Sequence, residues 1–428
     1  MNSWSDSMEK QEQLTKRIVF RGARVFDGSS ERLIEDRDVV VAGEFVEAIR
    51  LRSTEDPDAE VIDCGGRVLM PGLIDAHVHV YLAGLNLTRL AQTPVSYLAH
   101  YAAQFLHACL DRGFTTVRDV GGADVGIASA IRDGLLTRVP RLLYGGRVIS
   151  QTGGHGDFRP GDYRLDDVVC CGCGFHTDPM AVVADGADAV RRAVREELRR
   201  GASHIKIMAS GGIASPTDPL ERLQYSDEEI RAAVDEAKRA GSYVAAHCHP
   251  AAAVRRAAEL GVRSIEHATL VDDEDAEVVA ANEAFAIPTM ATIFALAEEG
   301  EALGLPAASM EKLRRVTDKA LESLNILKRA GVKMGLGTDL LGPQHVRQCT
   351  EFTLRAQVLP NIDILQSACA VNAELIGHAG NLGCIREGSA ADLLVVDEDP
   401  LKDISILARS GDGLAVIMKG GQFHKRKL

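Results

Sequence analysis

Short apolar runs alternate with amphipathic helical stretches through the middle of the chain. Eight runs read as strands: LIDAHV (73–78), TTVRDV (115–120), RLLYGG (141–146), HIKIMA (204–209), YVAAHC (243–248), SIEHA (264–268), AFAIPTM (284–290) and VKMGLGTD (332–339). Each is rich in β-branched or other apolar residues. A glycine suited to ending a helix precedes several of them, at Gly113, Gly201, Gly241, Gly261 and Gly331. Between the runs, DAVRRAVREELRR (188–200) and DEEIRAAVDEAKRA (227–240) repeat apolar residues at helical spacing. Ser226 before the second, with Glu229 three residues on, spells a capping box. Eight strand–helix units over about 270 residues predict an α/β fold, a (β/α)8 or TIM barrel. A doubly wound sheet would need fewer strands and a glycine-rich βα turn, and no GxGxxG occurs.

The two ends read differently. IVFRGARVF, DVVVAGEFVEAI and AEVIDCGG near the start, and ADLLVVDED and LAVIMKGGQF near the finish, are strand-like without a helical period. They predict one small β-sandwich domain built from both ends, residues 17–70 plus 384–428, beside a barrel over 71–383. Residues 1–16 are polar and read as a flexible start; they lack the apolar segment of a secretory signal.

Composition narrows the function. Of 428 residues, 46% are hydrophobic and 25% charged, which suits a folded domain and excludes a disordered chain. The net charge of −13 argues against nucleic-acid binding by phosphate neutralisation. No run approaches the roughly 18 apolar residues of a membrane span, so no membrane partner is expected. Nine cysteines in this length are no disulfide framework, and a reducing cytoplasm is the expected compartment.

The chemistry lies at the strand ends. His77 and His79 sit two residues apart and therefore share one face of the first strand. Lys206 lies in the fourth strand, His247 closes the fifth, His267 the sixth and Asp339 the eighth. Barrel active sites gather at the C-terminal ends of strands, so six metal-compatible groups from five strands would meet at one mouth. A protonated Lys206 would repel a cation. A neutral amine, however, adds CO2 to give a carbamate whose two oxygens can bridge two ions, and the apolar HIKIMA context suits that form.

These residues carry a resemblance. PGLIDAHVHV, GFTTVRD, SQTGGH, IKIMASGG, IEHA and MGLGTDLL resemble the metal-dependent amidohydrolase superfamily, in its imidazolonepropionase-like branch with the binuclear-zinc Xaa-Pro dipeptidases, the prolidases. The likeness runs from about residue 18 to 420 and is strongest for the superfamily. It implies one ion on His77, His79, carboxylated Lys206 and Asp339, and a second on Lys206, His247 and His267. A hydroxide would bridge them. Zinc suits the imidazole-rich set, and other divalent first-row metals fit as well. Asp339 would move a proton from the nucleophile to the leaving nitrogen. The resemblance also implies a homo-oligomer acting on a small-molecule dipeptide or N-acyl amino acid.

Several residues admit two readings. His155 in QTGGHGD is either a loop histidine or a donor to the substrate. Tyr225 either packs against the following helix or donates its hydroxyl to an oxyanion. Arg222 is a solvated loop charge or a carboxylate clamp, the solvated reading being preferred. SGGIASPTDP (210–219) lacks the P-loop ending and reads as a loop that lets backbone approach the site. Cys170, Cys171 and Cys173 with His176 invite a structural zinc reading, but the spacing is tight, and an excursion between strands is preferred. Cys248 reads as packing and His249 as a partner near the site rather than a ligand. His204, His345 and His378 read as core or surface histidines.

The first expectation is an Xaa-Pro or related dipeptidase. The alternatives are an amidase for N-acyl amino acids or aryl amides such as ochratoxin-like mycotoxins, and a cyclic-amide hydrolase of imidazolonepropionase type. A deaminase usually runs on one ion and leaves Lys206 unexplained. A non-catalytic scaffold has no need of six intact ligands.

Overall fold

The computed structural model describes residues 17–53, 56–86, 89–90, 92–159, 180–215 and 218–428. Strands β1 (Ile18–Val25), β2 (Ile34–Ala42), β3 (Phe45–Leu51), β4 (Glu60–Asp63) and β5 (Val68–Pro71) come first. The central strands are β6 (Leu73–Val78), β7 (Phe114–Asp119), β8 (Arg141–Tyr144), β9 (Val148–Ser150) and β10 (Ala181–Val183). They continue with β11 (Ile205–Met208), β12 (Val244–Pro250), β13 (Ser264–Leu270), β14 (Phe285–Ile287) and β15 (Lys333–Met334). Then β16 (Leu393–Val396), β17 (Leu414–Lys419) and β18 (Gln422–Arg426) close the chain.

The fold is α/β with parallel sheet. One sheet runs β10-β9-β11-β12-β13-β14-β15, and a second runs β6-β7-β8. Every pair within them is parallel. Backbone hydrogen bonds link the two sheets: Ala76 N donates to Leu336 O at 2.9 Å, Asp339 N to His77 O at 2.8 Å, and Ser203 N to Tyr144 O at 2.8 Å. All six residues of β6 and of β7 are buried, as expected when parallel strands are covered on both faces.

Helices return the chain between strands. Asp227–Arg239 begins with the expected capping box and buries Ile230, Ala233, Val234 and Ala237. Ala187–Arg199 buries Val190, Ala193 and Val194 in the same apolar cluster as Ile205 and Ile207 of β11.

Both chain ends enter one eight-stranded sheet, ordered β18-β17-β16-β5-β1-β2-β3 with β4 on β1. The ends meet where β16 pairs antiparallel with β5, Val395 opposite Leu69. Phe20, Val39, Ile62, Leu69, Leu393 and Met418 share its apolar core.

All eight expected runs contain strand; LIDAHV keeps its bounds and the other seven change theirs. The 284–290 run stops at Ile287 because Met290 already begins a helix. The 332–339 run pairs as strand only at Lys333–Met334, while its glycine-rich continuation still bonds to β6. Strands β9 and β10 went unread, because three residues are too few to show a period. No helix among the described residues is long and apolar enough to cross a membrane.

Candidate metal centre and active site

Two triads of donors face each other where strands end. His77 and His79 lie on and just beyond β6, on its one face. Their Nε2 atoms stand 3.3 and 3.2 Å from Asp339 Oδ1. The second triad is His247 and His249 on β12 with His267 on β13. Within each triad the donor atoms lie within 4.8 Å of one another. The triads touch: His267 Nδ1 is 3.9 Å from Asp339 Oδ2, and the His77 and His267 rings are 5.0 Å apart.

The backbone is bent to present them. His267 has φ +73° and Asp339 φ +53°, left-handed values that side chains with a Cβ rarely adopt. Such a conformation costs about 1–3 kcal/mol and persists where surrounding structure enforces it, often at functional sites.

Neighbours fix each ring. His77 Nδ1 lies 2.7 Å from Glu266 Oε2, and His79 Nδ1 lies 2.9 Å from Gly121 O. His267 Nδ1 is 2.9 Å from Thr289 Oγ1, and His249 Nδ1 is 2.7 Å from Thr269 Oγ1. Tying one ring nitrogen fixes the direction of the other. Glu266 is itself held by Arg118 Nη2 at 2.8 Å and Ser264 Oγ at 2.5 Å, all inside the protein.

Charge follows geometry. Burial pushes the His247 and His267 imidazoles well below their ordinary value, and adjacent imidazoles push further, so both are neutral near pH 7, the ligating form. Burial alone would raise the carboxyl of Glu266, but Arg118 and then His77 hold it well below the ordinary range. Asp339 is likewise held low against burial, chiefly by His77. Lys206 is 2% exposed, and burial lowers its amine despite Glu266 and Asp339 nearby. His77 Nε2 and His247 Nε2 are buried without a hydrogen-bond partner. Orphaned imidazole nitrogens beside a carboxylate are the donor set that a divalent first-row cation takes, so the residues fit a metal centre.

All six expected metal ligands border one cavity, with His155 and His249. Its other wall is apolar: Leu82, Val148, Phe158, Met180, Met208, Ile213, Ile293, Leu296 and Leu341. His155 stacks on His247 at 4.4 Å, and its Nδ1 lies 3.4 Å from Asp218 Oδ2.

Tyr225 is not brought there. Its hydroxyl donates to Ala184 O at 3.1 Å, and its ring packs in the apolar cluster of β11 and β12. Of its two readings this arrangement favours packing, since the hydroxyl proton is engaged in the core. Arg222 is exposed, Cys248 is packed in that cluster, His204 stacks on Tyr243 and His345 on Phe105. His378 is partly buried outside both triads. The Cys170, Cys171, Cys173 and His176 cluster lies outside the described residues. His249, read from its two-residue spacing after His247 as a partner near the site, stands with His247 and His267 in the second triad of donors.

Known proteins resemble this chain over most of its length. The profile of the amidohydrolase family matches residues 68–422. An ochratoxinase from Aspergillus niger is 35% identical over 376 residues, 84% of this chain and 76% of that protein. A prolidase solved in complex with N-methylphosphonate-L-proline is 45% identical, with TM-score 0.91, over 96% of this chain and 100% of that one. A Xaa-Pro dipeptidase solved with methionine in its active site is 28% identical, with TM-score 0.81, over 96% of this chain and 100% of that one.

Proposed function

The chain belongs to the amidohydrolase family and resembles prolidases, and from that premise we propose that it is a binuclear metal-dependent hydrolase of Xaa-Pro or related dipeptides. The observation that carries the reading is the pair of donor triads sharing one cavity with Lys206. His77, His79 and Asp339 would hold one ion, and His247 and His267, with His249 beside them, the other. Lys206, carboxylated by CO2, would join the two; its burial favours the neutral amine that captures CO2. Two zinc or other first-row divalent ions held there would acidify a shared water and polarise the scissile carbonyl.

The chain's own groups do the rest. Asp339 holds the proton of the attacking water on a carboxylate oxygen and delivers it to the departing nitrogen, giving a carboxylic acid and an amine. His155, stacked on His247 and paired with Asp218, donates to the substrate's carboxylate or carbonyl. The apolar wall opposite excludes water and receives the side chain of the residue before the scissile bond.

That wall supports a second reading. An aryl amide or an N-acyl amino acid with an apolar acyl group fits it equally, and the 35% identity to ochratoxinase favours keeping it. The deciding measurement is kcat/KM over Xaa-Pro dipeptides, other dipeptides and N-acyl amino acids, with metal content determined on the same preparation. A metal-free chain inactive across all three classes would end both readings.

The same proposal takes the parallel strands as a (β/α)8 barrel over 71–383, with the end sheet over 17–70 and 384–428 as a small sandwich. The six described cysteines are free, which suits a reducing cytoplasm. A homo-oligomer is carried over from the resemblance.

A further inference from the structure

Lys312 belongs to the helix Ala307–Arg329, which lies between β14 and β15 and contributes no residue to the cavity wall. Its ammonium nevertheless reaches the loop that follows β11. Nζ donates to Gly212 O at 3.1 Å, Ser215 O at 2.7 Å and Asp218 O at 2.5 Å. An ammonium has three N–H groups, and three carbonyls from one loop engage them all. Removing a charged head from water is costly unless it is fully hydrogen-bonded, so the arrangement is specific rather than a stray surface contact.

Other bonds reach the loop as well: Gly211 N donates to Arg222 O and Ser210 Oγ to Gly211 O, both at 2.9 Å. Gly211, Gly212 and Ala214, however, offer almost no side chain to pack. Yet Ile213 and Ala214 line the cavity, and Asp218 is the anchor of His155. Asp218 Oδ2 accepts from Gly212 N and Gln224 Nε2, both at 3.2 Å, while Gln224 Oε1 accepts from His155 N at 2.9 Å.

We propose that Lys312 is a positioning residue, a strut that holds Gly212, Ser215 and Asp218 in register so that His155 stays against His247 and the loop forms one wall of the cavity. The inference rests on the proposed amide hydrolysis only for its kinetic consequence.

The test compares the metal-loaded full chain with its Lys312→Met variant. Amide hydrogen exchange at residues 211–215 should speed by about tenfold with other regions unchanged. KM for the best amide substrate should rise about tenfold with kcat within about threefold, and metal content should match wild type. Unchanged exchange at 211–215 would overturn the proposal, and so would acceleration across the whole chain with loss of metal. Should Lys312→Met fold poorly, Lys312→Arg keeps the charge, but its planar head cannot converge on three carbonyls. It should show the same local exchange. A wild-type chain that hydrolyses no amide defeats the functional reading, while exchange at 211–215 still decides the strut.

Discussion

His77 Nδ1 and Glu266 Oε2 lie 2.7 Å apart in the protein interior, and the second oxygen of Glu266 faces Arg118. The relationship makes His77 the end of a buried chain, guanidinium to carboxylate to imidazole, that leaves Nε2 facing Asp339. Glu266→Gln keeps the shape but removes the charge. Metal affinity should fall about 10–100-fold, the usual cost of losing a carboxylate behind a ligating histidine. The metal-free variant should also lose about 3–5 kcal/mol of stability, because Arg118 is left as an uncompensated buried charge. Chelator competition and denaturant unfolding measure the two effects separately. Wild-type affinity would show that Glu266 serves only Arg118.

Lys206 makes a different demand. If its buried amine carries CO2, Lys206→Ala should lose bound metal along with activity, and a short carboxylic acid should restore part of both by replacing the carbamate oxygens. Metal analysis before and after dialysis against such an acid is the measurement. A variant that keeps its full metal complement removes Lys206 from the centre.

Tyr225→Phe should leave kcat/KM within about twofold of wild type and cost about 0.5–1.5 kcal/mol of stability, the worth of one hydrogen bond to Ala184 O. A fall in kcat of a hundredfold or so would mean that the hydroxyl leaves Ala184 for the substrate during turnover.

These residues also show how far the sequence could be read. The donor side chains at strand ends were legible because a strand's two-residue period and the polarity of a parallel unit dictate where His77, His79, His247 and His267 point. Tyr225 was left with two readings because its position just before a helix says nothing about the direction of its hydroxyl, which meets Ala184 O. Glu266 was hidden inside SIEHA because its partners, Arg118 and His77, are distant in the chain. Lys312 was invisible for the same reason. A lysine on an amphipathic helix reads as solvated until the loop it meets is known.

Asp339→Asn separates holding from turnover. The amide keeps an oxygen toward His77 and His79, so much of the metal should stay bound, but it cannot carry a proton. kcat should fall about 10²–10⁴-fold. Undiminished kcat at full metal loading would take the proton shuttle away from Asp339.

Gly212 tests the same wall from the inside. A methyl group there would strike the His155 ring at Cε1 and Nε2. The ring has little room to yield, since it stacks on His247 at 4.4 Å and its backbone N–H is tied to Gln224. Gly212→Ala should therefore lower kcat/KM about 10–100-fold, the effect of displacing a substrate-facing group by an ångström or so. The loss should vanish in a His155→Ala background, because the ring that the methyl strikes is then gone. That non-additivity is the signature of two residues acting through one contact. Equal losses in both backgrounds would mean that Gly212 matters for the loop itself and not for His155.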